Sequence, residues 1–402
     1  MTFDVWVAAA TALYVIAAAG LCYTLLALWA VNRYRPGTTA SLSDSQPISI
    51  LQPLCGAEPR LYESMKSLLE QDYPDTQIIW GVRDGNDPAV EIANRLAQEF
   101  PHRRTSLIID ARIHGANLKV SNLRNMLPSA EHGILLIADS DVMLPPDMIS
   151  RLVASLTQPG TGAVTATYTG IADGTLASRL GALFINDWFM PSALVDLALN
   201  GPDGCYGPIT AIHRHVLEEI GGLEALSDYL AEDNRMGRLV REKGYTLHVE
   251  TLPVPTMVYE AGMADLLRHE LRWARTVRSC RAFDHALQMV TFPLPMVIAL
   301  AAVAGSPAGW GFLALHVASR QALHVLVRRR IPGSGPFAPW AVPVRECLCF
   351  LVWAISLVGN RISWRGHKFH LTSGGCIIPV DSLHRDALAA IDSPLLVGEE
   401  AQ

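Results

Sequence analysis

The residues of this chain best suited to chemistry are acidic and come in a fixed order. Asp84-Gly85-Asn86-Asp87 is followed by Asp139-Ser140-Asp141, then Glu232-Asp233, and Arg272-Trp273 closes the series. Alternate residues of an extended chain point the same way, about 6–7 Å apart. Asp139 and Asp141 therefore converge on one hard cation. An oxygen-only pair of this kind suits Mg²⁺ or Mn²⁺, with phosphate oxygens completing the coordination. Taken alone, Asp-x-Asp also describes a solvated turn ahead of a helix near Pro146. Here it directly follows the apolar run Ile134 to Ala138 and has acidic partners on both sides.

The other positions take complementary roles. Asp84 and Asp87 close the apolar stretch Gln77 to Val82, where a carboxylate accepts hydrogen bonds from a base N–H or ribose hydroxyls. Gly85 permits close approach. The competing reading of Asp87 is a cap on the helix opening at Pro88. Lys119 and Asn122 lie just before the buried run, and a lysine there either neutralises a diphosphate or stands on the surface. Asp233 is the candidate general base, and Glu232 caps the helix or orients its neighbour on the donor side. Arg268, Arg272 and Arg275 recur at spacings of four and three, with Trp273 beside them. Arg272 would grip phosphate oxygens while Trp273 stacks or anchors; the bland alternative is a basic helix resting on anionic lipid. Such a set is what moving a sugar from a nucleotide-sugar requires.

These side chains need a sheet to hold them. From Ile48 the text alternates apolar runs with amphipathic helices: Ile48 to Leu51, the helix Leu61 to Glu70, Gln77 to Val82, the helix Pro88 to Phe100, then Ser106 to Ile109. This predicts a mostly parallel α/β sheet, whose ligands lie beyond the carboxyl ends of the strands. Gly37 to Gln46 reads as a polar linker.

Composition places the protein partly in a membrane. Of 402 residues, 50% are hydrophobic and only 17% charged, against a usual charged share of about 25%. Mean hydropathy is +0.23, and a net charge of -6 offers no nucleic-acid footprint. Val5 to Val31 holds no charged side chain, more than the roughly 20 residues a bilayer requires; the alternative is a buried core helix. Arg33 and Arg35 follow it, which directs the chain onward into the cytoplasm. Met289 to Gly305 and Trp310 to Val327 read as two further spans ending at Arg328-Arg329-Arg330. The shorter run Cys347 to Val358 reads as re-entrant or interfacial, because the basic residues Arg361, Arg365 and Lys368 follow it. Seven cysteines without metal spacing fit reduced thiols. The expected organisation is an anchor at 1–36, a cytoplasmic catalytic domain at 48–283, membrane or interfacial helices at 286–370 and a tail at 371–402, in an inner, cytoplasmic membrane.

Leu51 to Gly56, Asn86-Asp87-Pro88, Lys119 to Leu123, Ala138 to Asp141, Ala231-Glu232-Asp233 and Arg268 to Trp273 together resemble the ceramide glucosyltransferase-like GT-A glycosyltransferases. Within that family the text is similar to the hopanoid-biosynthesis-associated branch. The resemblance covers about residues 1 to 370. It implies a GT-A-like nucleotide-sugar domain using Mg²⁺ or Mn²⁺, with Asp87 and Asp139 as the first two family aspartates. It also implies Asp233 as base and Arg272-Trp273 as the end of a Q/R-x-x-R-W motif, with His269 departing from the pattern. The implied reaction is inverting transfer from a UDP-sugar to a lipid hydroxyl: N-acetylglucosamine to bacteriohopanetetrol, or glucose to ceramide. A polysaccharide synthase and a non-enzymatic membrane scaffold are the other classes.

Overall fold

The computed structural model describes residues 2–37 and 45–380. Most of the linker expected at 37–46 and the tail from 381 onward lie outside the described residues. Seven strands form the central sheet: β1 (Ile48–Pro53), β2 (Thr76–Val82), β3 (Arg104–Ile109), β4 (Ile134–Ala138), β5 (Thr161–Ala172), β6 (Ile209–His213) and β7 (Thr246–Val258). Their order is β3-β2-β1-β4-β6-β5-β7. The first four run parallel, as the alternating text predicts. β6 is antiparallel to both β4 and β5, so the sheet is mixed.

Both faces of the sheet are covered. Ile48, Ile50, Ile78, Trp80 and Leu136 pack on one side with Leu68, Leu96 and Leu152. Leu51, Ile79, Leu135 and Ile137 pack on the other with Leu123, Val216 and Met236. Burial on both faces explains why β2 and β4 read as continuous apolar runs rather than alternating ones. At Gly81 an added Cβ would stand 2.3 Å from the Met126 sulfur. Only glycine lets the helix Leu118–Met126 lie this close to β2.

Among the described residues, two helical stretches are long and apolar enough to cross a membrane, Ala8–Arg33 and Leu176–Leu199; a bent pair, Ala282–Thr291 with Leu294–Ala304, makes a third if counted as one span. The first matches the expected anchor. The second was not anticipated, since it sits inside the sequence of the catalytic domain. It contains a π turn, Ile185–Phe189, that turns Asn186 and Asp187 inward, both 2% exposed. Asn186 hydrogen-bonds the backbone of Gly170 on β5 in both directions, at 2.9 and 3.0 Å.

The helix expected over Trp310 to Val327 runs as Pro307–Arg330; by length and composition it is not among the described helices apolar enough to cross a membrane, and its buried face is ionic. His316 meets Glu346 at 2.8 Å, His324 meets Asp187, and Arg328 meets Asp187 at 2.7 Å. Helix Ala341–Ser356 brings Glu346 and also Arg345, which pairs with Glu270 at 2.7 Å. At 16 residues it is shorter than the roughly 20 a crossing takes. The anchor helix packs on Leu294–Ala304 and Pro307–Arg330 through small residues. A Cβ on Gly20 would stand 2.4 Å from the Pro293 ring. The carboxyl ends of the anchor and of Pro307–Arg330 meet, Arg330 bonding Asn32 at 3.0 Å. The basic residues that follow both helices therefore share one level.

Residues 361–379, expected as helix and tail, instead form a three-stranded antiparallel sheet: β8 (Arg361–Trp364), β9 (His367–Leu371) and β10 (Ile377–Pro379). Ile362, Phe369, Leu371 and Ile377 bury an apolar face against Leu230. Alternating apolar and basic residues give a strand one buried face, which suits this text better than a helix.

Candidate active site

The site is assembled at the carboxyl end of β4. Trp80 Nε1 donates to Gln52 Oε1 at 3.1 Å, and Gln52 Nε2 donates to the Asp139 carbonyl at 3.2 Å. Gln52 and Trp80 are at most 1% exposed, so this chain of bonds fixes where Asp139 begins. The Asp139 amide bonds the Pro208 carbonyl at 3.0 Å, and the Asp141 carbonyl accepts from Met257 at 2.8 Å. Both aspartates are thus held by backbone on either side of Ser140.

Lys119 links the aspartates to the second acidic cluster. Its ammonium lies 2.5 Å from Asp139 Oδ1 and 2.7 Å from Glu232 Oε1. Burial works against that charge, but the Asp139 and Glu232 carboxylates raise the lysine well above its ordinary range. The surface reading of Lys119 is therefore excluded. Glu232 also accepts from Asn117 Nδ2 at 3.1 Å. Asn117 in turn caps its helix, accepting from the Lys119 and Val120 amides at 2.9 and 3.1 Å. One asparagine thus starts the helix carrying Lys119 and fixes Glu232.

Asp233 is placed differently. It has no side-chain partner among the described residues, and it faces Asp139 across Gly207. A Cβ on Gly207 would lie 3.3 Å from Asp233 Oδ2 and 3.9 Å from Asp139 Oδ2. Burial, reinforced by the Glu232 charge, pushes the Asp233 carboxyl up to about 7. A carboxylate poised there is matched to accepting a proton near neutral pH.

Asp141 suits a cation. Its Oδ1 is buried without a hydrogen-bond partner, and burial together with Asp139 and Glu58 pushes its carboxyl up to about 8. A buried carboxylate oxygen left unsatisfied is costly unless a cation or donor meets it. The all-oxygen pair fits Mg²⁺ or Mn²⁺. Among the described residues no group of three or more His, Cys, Asp or Glu forms a ready-made metal cage, so further ligands would come from a bound molecule.

The remaining expected residues separate into two groups. Asp87 accepts from the Gly56 amide at 2.9 and 3.0 Å and from the Ala89 amide at 2.9 Å. Its carboxylate is engaged in tying the loop after β1 to the helix Ala89–Glu99, as the capping reading has it. Asp84 is exposed and holds Asn86. Asn122 donates to the Gly81 carbonyl at 2.7 Å, within the domain interior. Trp273 packs with Phe184 against Ala182, Ile185 and Val258 and lies 4.2 Å from the His269 ring. His269, the departure from the family pattern, bonds Glu260 at 2.5 Å.

Arg272 belongs with the acidic centre. Its guanidinium makes no hydrogen bond or ion pair among the described residues. Burial and the charge of Arg365 pull it down to about 10, so it stays protonated at neutral pH, with Glu232 and Glu260 nearby. Arg275, by contrast, donates to the carbonyls of Arg361 and Val358 at 2.5 and 3.0 Å, and Arg278 to those of Ser356 and Gly359. The expected basic stripe is thus split. Part of it caps the carboxyl end of Ala341–Ser356, where cations are favoured, and is not presented to lipid.

Several residues at the site had no assigned role in the sequence reading. Glu58 accepts from Ser140 Oγ at 2.6 Å and pairs with Arg365 at 2.9 Å. Its position in the loop after β1, at the carboxyl edge of the sheet, was the available signal. Gly207 and Asn117 carry none, since their roles exist only once the strands are side by side. A cavity of about 250 Å³ borders the same region, lined by Tyr229, Asn234, Arg235, Arg238 and Cys280.

Known proteins with this arrangement transfer sugars. A mannosyltransferase from Pyrobaculum calidifontis, solved with GDP-Man and Mn²⁺, superposes with a TM-score of 0.57 at 19% identity, over 87% of this chain and 98% of that one. The α/β, GT-A-like fold is therefore shared. Ceramide glucosyltransferase 3 of Caenorhabditis elegans is 24% identical over 378 residues, covering 87% of this chain and 78% of that protein. An N-acetylglucosaminyltransferase of Bradyrhizobium diazoefficiens is 22% identical over 242 residues, covering 57% and 48%. The model of glycosyl transferase family 21 matches residues 12–377, nearly the whole catalytic and helical arrangement described above, and the chain belongs to that family.

Proposed function

We propose that this protein transfers a hexose from a UDP-sugar, with inversion, to a hydroxyl of a membrane lipid. The observation that carries the reading is Asp233: a half-buried carboxylate that no other side chain engages among the described residues, facing Asp139 across Gly207. Asp233 takes the proton of the acceptor hydroxyl as that oxygen attacks the anomeric carbon. Glu232, held by Lys119 and Asn117, cannot rotate to replace it and fixes the helix start from which Asp233 projects. Arg272 receives the charge of the departing diphosphate. Asp139 and Asp141 would hold Mg²⁺ or Mn²⁺, which when bound supplies Lewis-acid stabilisation of that diphosphate. Lys119 keeps the carboxylates of both clusters in register.

The lipid acceptor is supported by the apolar helices around the domain and by the names of the relatives. Of the two acceptors the sequence raised, glucose transfer to ceramide is now the better supported. The Caenorhabditis elegans ceramide glucosyltransferase aligns over most of the chain, whereas the N-acetylglucosaminyltransferase aligns over 57% of it. Hopanoid transfer keeps only the resemblance of Arg268 to Trp273. We place the active site on the cytoplasmic side, at the level where Asn32, Arg33 and Arg330 meet. Full-length protein in detergent, given ceramide or bacteriohopanetetrol with UDP-glucose or UDP-N-acetylglucosamine, tests this by mass spectrometry of the lipid product. Glucosylceramide is expected. Sugar polymer without glycolipid would refute the lipid acceptor.

A further inference from the structure

We propose that Arg365, carried on the β8–β9 hairpin, is a second guanidinium of the donor site and grips the sugar-nucleotide diphosphate beside Arg272. This rests on the sugar-nucleotide reading above and adds to it a residue that the acidic clusters do not reveal.

Arg365 Nη2 lies 2.9 Å from Glu58 Oε1, and Nη1 donates to the Cys55 carbonyl at 3.0 Å. The other oxygen of Glu58 accepts from Ser140, the residue between Asp139 and Asp141. A single carboxylate therefore separates this guanidinium from the Asp-Ser-Asp motif. Two of its five N–H donors are accounted for by these bonds, and its side chain is 41% exposed, so a face remains open to a ligand.

The hairpin is fixed to the catalytic centre. Leu230 N bonds Gly375 O at 3.0 Å and Ile377 N bonds Asp228 O at 2.8 Å. These bonds attach β10 to the segment running directly into Glu232 and Asp233. On the other side, Arg275 and Arg278 hold the carbonyls leading into β8. Strand register pairs Trp364 with His367, leaving Arg365 and Gly366 as a two-residue turn with φ of 49° and 81°. Such a turn favours Asn-Gly, Asp-Gly or Gly-Gly, because both residues take positive φ. Arginine is poorly suited to its first position. Its backbone cost is offset only if the side chain is needed where it lands.

Arg272 has no hydrogen-bond or ion-pair partner among the described residues, and the charge of Arg365 acts on it. Two guanidinium groups side by side are stabilised by an anion between or above them. In the transfer step the anomeric carbon–phosphate oxygen bond breaks as the bond to the acceptor oxygen forms. The acceptor's proton goes to Asp233, and the electron pair leaves with the diphosphate, which gains one negative charge. Arg272 and Arg365 stand where that charge grows.

The test compares UDP with uridine, which differ only in the diphosphate. Binding of each to detergent-purified full-length wild type, Arg365→Ala, Arg365→Lys and Arg365→Gln is measured by calorimetry, with Mn²⁺ present. Arg365→Ala should weaken UDP by about 10- to 100-fold, the worth of a charged hydrogen bond, and leave uridine unchanged. Arg365→Lys should restore part of the loss. If alanine does not fold, Arg365→Gln keeps a donor for the Cys55 carbonyl and carries the same expectation. Equal losses for UDP and uridine would show a purely structural hairpin and overturn the proposal, as would unchanged UDP affinity. A wild type that binds neither compound would instead overturn the sugar-nucleotide reading beneath it.

Discussion

Replacing Asp233 with asparagine removes the proposed proton acceptor and almost nothing else. The side chain keeps its shape, is engaged by no other side chain among the described residues, and faces a cleft opened by Gly207. The neighbouring carboxylate cannot compensate, because Glu232 is bound by Lys119 at 2.7 Å and Asn117 at 3.1 Å. The full value of a general base should therefore be lost, about 10²–10⁴-fold in kcat, or about 3–5.5 kcal/mol of transition-state stabilisation. The pH profile gives an independent reading. With the Asp233 carboxyl raised to about 7 by burial and Glu232, the proton-accepting form is a minority below neutrality and dominates above it. Wild-type kcat should climb tenfold per pH unit on the acid side and level off near pH 7–8. Asp233→Asn should lose that limb while its donor affinity persists. Initial rates across pH 5 to 9, with donor binding measured separately, make the comparison. An unchanged acid limb in Asp233→Asn would refute the assignment. A larger loss in Glu232→Gln, with its pH limb abolished, would exchange the two roles.

Other perturbations test neighbouring parts of the argument. Gly207→Ala places a methyl 3.3 Å from Asp233 and 3.9 Å from Asp139, so turnover should fall several-fold while the melting temperature changes little. Asp139→Asn removes an anionic partner of Lys119 and one carboxylate of the proposed cation pair. Mn²⁺ binding, read by electron paramagnetic resonance, should disappear, and full activity of this variant in EDTA would exclude the metal. Glu270→Ala leaves Arg345, 1% exposed, as an unpaired buried charge. It should destabilise by about 3–5 kcal/mol as seen by detergent-phase thermal denaturation, and Glu270→Gln by less. Trp273→Ala should act on folding rather than donor affinity, because the indole packs with Phe184 against Ala182, Ile185 and Val258.

How much was legible in the sequence depended on the range of the interactions involved. Strands β1, β2 and β4 could be read because burial on both faces makes each a compact apolar word, and the helix Leu61–Leu69 because its period is local. The antiparallel placement of β6 between β4 and β5 leaves no local mark. The helices from Leu176 to Leu199 were missed because their sequence lies within a domain that otherwise reads as soluble. Pro307–Arg330 departs from its reading as a span because His316, Arg320 and His324 interrupt the apolar text, and their partners Glu346 and Asp187 come from other helical segments.

The active site divides along the same line. Asp139, Asp141, Glu232 and Asp233 stand out because they come as pairs at the end of an apolar run and at a helix start, and the fold does bring them together around Lys119. Asp87, equally conspicuous in the text, is engaged by the amides of Gly56 and Ala89, and side-chain type alone cannot separate those two fates. What decides them is whether backbone donors have already satisfied the carboxylate, a property of the loop that folds over it. The same test picks out Asp141, whose buried oxygen has no partner, and Arg272, whose guanidinium has none. In this site the unsatisfied groups, and not simply the charged ones, mark where a diphosphate and its cation would bind.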